Sequence, residues 1–156
     1  MKTKRAAEVL TALAGKRLAT AESLSGGGIG QAITSVSGAS AVYAGGVISY
    51  TNEVKHGVLG VPMELLDALG AVSGPVAKAM AQGARNLLKA DVAVSVTGLA
   101  GPGGDEYGNP VGTVFIGYAD ARNVLAREYH FQGTRDQVRE QTIIAALELV
   151  LEQSRP

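Results

Sequence analysis

Arg17-Leu18-Ala19-Thr20-Ala21-Glu22-Ser23-Leu24-Ser25-Gly26-Gly27-Gly28-Ile29 passes from a short apolar segment through two serines into three glycines and a second apolar run. Residues 17–22 predict a strand, and Ile29 to Ile33 predict the start of a helix. A strand that turns sharply into a helix is the repeating unit of an α/β sheet. Its turn lies at the rim, where such sheets place their ligands. The helix start offers unpaired N–H groups and the positive end of a dipole. Those groups suit a phosphate and the oxyanion beside a serine nucleophile equally well. The same residues also fit a plain tight turn with Ser23 or Ser25 as a helix cap. The spacing matches neither the dinucleotide G-x-G-x-x-G, nor a P-loop, nor the G-x-S-x-G elbow.

Outward from this segment, Lys4 to Ala14 predicts a helix stopped by Gly15. Gly46 to Tyr50 predicts a second strand, after which Thr51 or Asn52 caps a short helix carrying Glu53, Lys55 and Val58. Pro62 opens a helix over Met63 to Leu69. Ser73 and Pro75 start another, with Val76, Met80, Ala84, Leu87 and Leu88 as its apolar face. Val92 to Thr97 predicts a buried strand. Gly98 to Pro110 holds five glycines and two prolines and predicts a long, functional loop. Val111 to Tyr118 and Val124 to Phe131 predict a hairpin joined by Ala119 to Asn123. Thr134 caps the last helix, whose apolar face is Val138, Ile143, Ile144, Leu147, Val150 and Leu151. The order predicts an α/β fold: a single three-layer domain, residues 1–156, with a mixed β-sheet and helices on both faces.

Composition removes several functions. Basic and acidic residues balance at 14 each, and no tryptophan is present. The chain therefore has neither the charge nor the stacking platform of a nucleic-acid binder. It lacks cysteine, which excludes disulfides, thiolate catalysis and cysteine-ligated metal. His56 and His130 form no ligand motif, so no metal site is expected. The basic start Met1 to Arg5 leads into small apolar residues, but Glu8, Lys16 and Arg17 interrupt them. A surface helix fits better than a secretory signal. No stretch is long enough to span a bilayer, and a cytoplasmic protein is expected.

Four segments follow predicted strands or open helices, and each carries polar chemistry. Ser23 is the candidate nucleophile. Lys55, just beyond the second strand, serves as a base only where burial or a nearby positive charge lowers its pKa from near 10.4. On its own it reads as a solvated helix lysine with Glu53 as its charged neighbour, since exposed lysines are the norm. Thr97 and the loop amides after it suit a polar ligand or a plain surface turn. Arg135, at a helix start, suits a phosphate, and a solvated arginine is the bland reading.

Taken together, these segments resemble the C-terminal domain of the competence and damage-inducible protein family CinA. The family's T-A-E-S-C-T-G-G appears as Thr20 to Gly27 and its G-G-V-x-S-Y-x-N-E-x-K as Gly45 to Lys55. Its G-A-V-S, V-T-G-x-A-G-P and P-V-G-T-V appear as Gly70 to Ser73, Val96 to Pro102 and Pro110 to Val114. Leu24 and Ser25 replace the usual cysteine and threonine, and the loop Gly103 to Asn109 departs from the pattern. The resemblance covers Lys4 to Gln153 and implies a stand-alone nicotinamide-mononucleotide deamidase of pyridine-nucleotide recycling, without metal or organic cofactor. It implies Ser23 as nucleophile, Lys55 as base and Tyr50 as the residue orienting them. It further implies that Ser25, Ser40, Thr97 and Arg135 bind substrate, with Gly26 and Gly27 shaping the pocket. Backbone N–H groups from Ser25 to Gly27 are expected to hold the oxyanion, and Arg135 or the glycine-rich turn the 5′-phosphate. A homodimer is expected, with nicotinamide mononucleotide as the partner ligand. The alternative is a non-catalytic pyridine-nucleotide-binding or regulatory module in which Ser23 only caps a helix.

Overall fold

The structure, a computed structural model, describes residues 1–155. Its strands are β1 (Leu18–Glu22), β2 (Tyr43–Ile48), β3 (Val92–Gly98), β4 (Thr113–Ala119) and β5 (Val124–His130). Its helices are α1 (Lys2–Ala12), α2 (Gly28–Thr34), α3 (Asn52–Gly57), α4 (Met63–Leu69), α5 (Gly74–Leu87) and α6 (Arg135–Gln153). The strands form one sheet in the order β2-β1-β3-β4-β5. β1 runs parallel to β2 and β3, whereas β3-β4 and β4-β5 are antiparallel. The predicted mixed sheet with helices on both faces is the observed architecture.

Side chains two apart on a strand share a face, and here the two faces differ in residue size. Leu18 of β1 and Val92, Val94 and Val96 of β3 pack with α1, α2 and α6 in one core. Ala19, Ala21 and Ala93 face the other way and pack under Val76, Met80 and Ala84 of α5, with Leu59, Val61 and Leu66 beside them. Small residues on that side let α5 approach closely. Gly117 of β4 lies against the Ala77 carbonyl, and Ser95 Oγ donates to the same carbonyl at 2.6 Å.

The caps form as the sequence predicts. Thr51, Ser73 and Thr134 each accept a backbone N–H from the first turn of their helices, and Thr134 completes a capping box with Gln137. Some boundaries differ. α1 starts at Lys2 and ends at Ala12, two residues earlier than its apolar spacing suggests. β2 begins at Tyr43, not Gly46, because Gly45 and Gly46 pair with Ala19 and Thr20 within the ladder. Gly46 fits there for want of a side chain: a Cβ would run into Thr20 Oγ1. Leu87, assigned to the apolar face of α5, is exposed at the last residue of that helix.

One helical glycine reverses the usual propensity rule. Gly83 of α5 sits against the Leu59 carbonyl, and an added Cβ would overlap that oxygen. Glycine to alanine in a free helix gains about 1 kcal/mol. Here the displaced backbone dominates, and Gly83→Ala is expected to destabilise the fold by about 1–3 kcal/mol. Urea unfolding with a lowered midpoint checks this, and a raised midpoint contradicts it.

Candidate active site

β1 delivers Ser23 to the end of the sheet and fixes it from both sides. The Ser23 N–H donates to the Val96 carbonyl of β3 at 3.1 Å, and the Ser49 N–H donates to the Glu22 carbonyl at 2.7 Å. From the next crossover, α3 sends Lys55 back under the same rim. Lys55 is 1% exposed, and its Nζ donates to the Ser49 carbonyl (2.9 Å), the Tyr50 carbonyl (3.2 Å) and Ser23 Oγ (3.1 Å). It takes part in none of the ion pairs found among the described residues. Burial without a counter-ion lowers its pKa from 10.5 to about 8.

Above this pair lies a cavity of about 310 Å³. Ser23, Leu24 and Lys55 line it together with Ala71, Val72, Thr97, the loop residues Gly98 to Gly101, and Gly103. Tyr50 and Arg135 stand at its edge. Arg135 donates to the Gly101 carbonyl at 2.6 Å and, through its other terminal nitrogen, to the Tyr50 hydroxyl at 3.5 Å. Tyr50 is 60% exposed, so its carbonyl, not its ring, contacts the lysine. Thr97 lines the cavity, but its hydroxyl donates to the Ala71 carbonyl at 2.8 Å.

Several sequence expectations are corrected. Ser25, Gly26 and Gly27 do not line the cavity. Ser25 Oγ donates to Glu22 Oε1 at 2.6 Å, so its hydroxyl is occupied within the protein. Ser40 precedes β2 and lies in a separate surface depression with Thr34 and Tyr43, at the opposite end of that strand. It joins no part of this cavity. The start of α2 is not an open phosphate seat either. Glu22 Oε1 accepts the Ile29 N–H at 2.9 Å and Glu22 Oε2 accepts the Gly30 N–H at 3.0 Å, so a carboxylate of the chain already occupies it. Within the turn, the Gly26 N–H donates to the Ser23 carbonyl. The Leu24, Ser25 and Gly27 N–H groups have no acceptor among the described residues.

Sequence reasoning overlooked two side chains here. Glu22 reads as the last residue of a strand, and only the fold turns its carboxylate onto α2. Arg139 of α6 donates to the carbonyls of Leu24 (3.0 Å) and Ser25 (3.4 Å). Its separation along the chain from the serine turn hides it. The excess of charge in Glu22 at the end of an otherwise apolar strand was the available signal.

The lowered pKa of Lys55 fixes the sign of two measurements. The folded state disfavours the ammonium form, so the cost is full below pH about 8 and vanishes as the pH rises through 10.5. NMR titration of the Lys55 side chain is expected to show a midpoint near 8, whereas one at the ordinary 10.5 would mean a solvated amine. The stability difference between Lys55→Met and wild type is expected to favour the variant more below pH 8 than above 10.5.

Known proteins give the architecture its context. A CinA-like protein of Geobacter metallireducens is 48% identical over 134 residues, covering 86% of this chain and 32% of that protein. A CinA-like protein of Mycolicibacterium gilvum is 46% identical over 144 residues, covering 92% and 34%. The chain thus spans about a third of the length of these curated relatives. Among solved structures, the competence/damage inducible protein CihA of Agrobacterium tumefaciens superimposes with a TM-score of 0.95. The two are 38% identical, with 99% of this chain and 96% of that one covered. A CinA superfamily protein of Klebsiella pneumoniae gives 0.96 at 32% identity, with 99% and 98% covered. The family model for the CinA C-terminal domain matches residues 2–154, and with nearly the whole length accounted for, the chain belongs to that family.

Proposed function

We propose that this chain is an amidohydrolase that converts nicotinamide mononucleotide to nicotinate mononucleotide and ammonia by a serine–lysine mechanism. The observation that supports it most is the buried Lys55 Nζ bonded to Ser23 Oγ beneath a cavity. A nitrogen carries four positions, and in Lys55 one is the stem. The Ser49 and Tyr50 carbonyls take two N–H groups. The remaining position faces Ser23. In the ammonium form it holds a proton, and in the amine form a lone pair, which accepts the serine hydroxyl's proton. The two carbonyls therefore aim the base.

The substrate fits the surroundings. Among the described residues no carboxylate lines the cavity, while Lys55 and Arg135 do, so its electrostatics favour a ligand with an anionic group. Arg135, whose guanidinium reaches the edge, is the phosphate partner that remains once the α2 start is occupied by Glu22. The volume lies at the lower end of the range for small-molecule sites, and Ala71, Val72 and Leu99 offer apolar contact to a flat ring. The pyridinium charge withdraws electrons from the carboxamide and disfavours a second positive charge on Lys55.

The reaction then runs as two acyl transfers. Lys55 amine removes the Ser23 proton as Ser23 Oγ bonds the carboxamide carbon. The Leu24 N–H, adjacent in sequence to the nucleophile, in the cavity lining and without an acceptor among the described residues, is the donor offered to the oxyanion. Lys55 ammonium returns the proton to the departing nitrogen, which leaves as ammonia. Water repeats the cycle on the acyl-serine, giving the carboxylate and restoring the Ser23 hydroxyl.

Ammonia release from nicotinamide mononucleotide by the purified chain tests this reading. Ser23→Ala and Lys55→Ala are each expected to lower kcat/KM by roughly 10³-fold or more. In the wild type, kcat/KM is expected to rise with pH to a midpoint near 8 and then level, because the amine is the active form. Folded protein that binds the nucleotide without releasing ammonia overturns the proposal and leaves a binding module. Arg135→Ala is expected to raise KM by roughly 10- to 100-fold, the weight of a charged hydrogen bond, with kcat changed less. An unchanged KM removes Arg135 as the phosphate partner.

A further inference from the structure

Glu22, the residue before the nucleophile, is 2% exposed, and its carboxylate joins none of the ion pairs found among the described residues. It spends its acceptor capacity on the turn that follows Ser23. Oε1 receives the Ser25 hydroxyl and the Ile29 N–H, and Oε2 receives the Gly30 N–H. These bonds clamp the turn at its middle and at the start of α2. From the other side Arg139 holds the Leu24 and Ser25 carbonyls, and the Gly26 N–H closes onto the Ser23 carbonyl. Gly26 and Gly27 adopt φ of +59° and +100°, a conformation that these bonds hold in place. Among the described residues the Leu24 N–H, next to the nucleophile and in the cavity lining, has no acceptor.

We infer that Glu22, acting through Ser25, is a positioning residue that holds the serine turn, and with it the Leu24 N–H next to the nucleophile, in place for the oxyanion. The inference rests on the serine–lysine reading of Ser23 and Lys55. The chemistry favours a carboxylate at this place. Two backbone N–H groups and a hydroxyl all donate to it, so an amide side chain would set its own NH₂ against a donor. A carboxylate facing Lys55 would instead stabilise the ammonium and remove the base. Its bonds to the Ile29 and Gly30 N–H groups direct the Glu22 carboxylate onto α2 and away from that task. Ser25 thus serves the reaction through Glu22 and does not touch substrate.

Ammonia release is measured for the whole chain and for Glu22→Gln, Ser25→Ala and Ser25→Thr. A small fluorophosphonate that labels Ser23, followed by mass spectrometry, supplies a readout independent of the amide substrate. Glu22→Gln and Ser25→Ala are expected to lower kcat by roughly 10- to 100-fold, the cost of about 1 Å of misplacement. KM is expected to stay within about threefold and the pH midpoint near 8, because binding and the base are untouched. Labelling is expected to slow in parallel, and Ser25→Thr, which keeps the hydroxyl, is expected to restore both rates. Where Glu22→Gln does not fold, Ser25→Ala carries the test, since it removes a single bond to the carboxylate. Labelling and kcat at wild-type levels in the folded variants overturn the positioning role while the dyad stands. A fall in kcat matched by KM, or no rescue by threonine, reduces Glu22 to a structural part and also overturns it. A wild type that neither labels nor releases ammonia overturns the dyad and this inference together.

Discussion

A lysine amino group lies buried in this fold with no carboxylate partner among the described residues, and the arrangement of the site follows from that constraint. Two backbone carbonyls and one serine hydroxyl are its partners. Neutral acceptors support an ammonium less well than an ion pair does, so the balance moves toward the amine. The carbonyls belong to Ser49 and Tyr50, where β2 ends, and the hydroxyl belongs to the end of β1. Lys55 therefore reads the relative position of two neighbouring strands. Any slip between them would break its bonds.

That position is held by the sheet and by the size difference between its faces. Large aliphatic side chains on one face of β1 and β3 anchor α1, α2 and α6. Small ones on the other admit α5 at close range. The parallel β2-β1-β3 part brings three strand ends to one rim, and β5, antiparallel to β4 and so running in the same direction as β3, ends there too, which brings the start of α6 and Arg135 to the cavity. The loop from β3 to β4 then returns over the strand ends. It is tied down through Asp105, which accepts the Tyr107 and Asn109 N–H groups, and through Tyr107, whose hydroxyl donates to the Asp67 carbonyl. A rigid rim and a braced loop leave a small slot between them.

Charge at this rim is sorted by geometry. Glu22 ends β1 one residue before the nucleophile that Lys55 contacts, yet acid and base have separate partners: the acid has α2, the base has carbonyls. Arg139 holds carbonyls of the serine turn, and Arg135 bridges loop and tyrosine at the cavity edge. Separating the acid from the base preserves a proton acceptor near neutral pH. Pairing them would have made a stable but inert ion pair.

The order of elements, the mixed sheet and the rim position of Ser23 were legible in the sequence, because they depend on local signals. Apolar runs of strand length, the caps Thr51, Ser73 and Thr134, and the glycines of the turn act over a few residues. The family motifs marked Ser23 and Lys55 together, although spacing alone left the lysine ambiguous. The rest was decided by tertiary structure. Burial, which lowers the pKa of Lys55, exists only once α3 has packed below the rim. Ser25 and Glu22 are bonded to each other instead of to a ligand because the turn folds the hydroxyl onto the carboxylate. Ser40 falls at the far end of β2, a consequence of strand direction that motif position does not encode. Local sequence set which segments form and where they turn. The environment of each polar group depended on contacts between residues distant along the chain, and only the packed fold creates those.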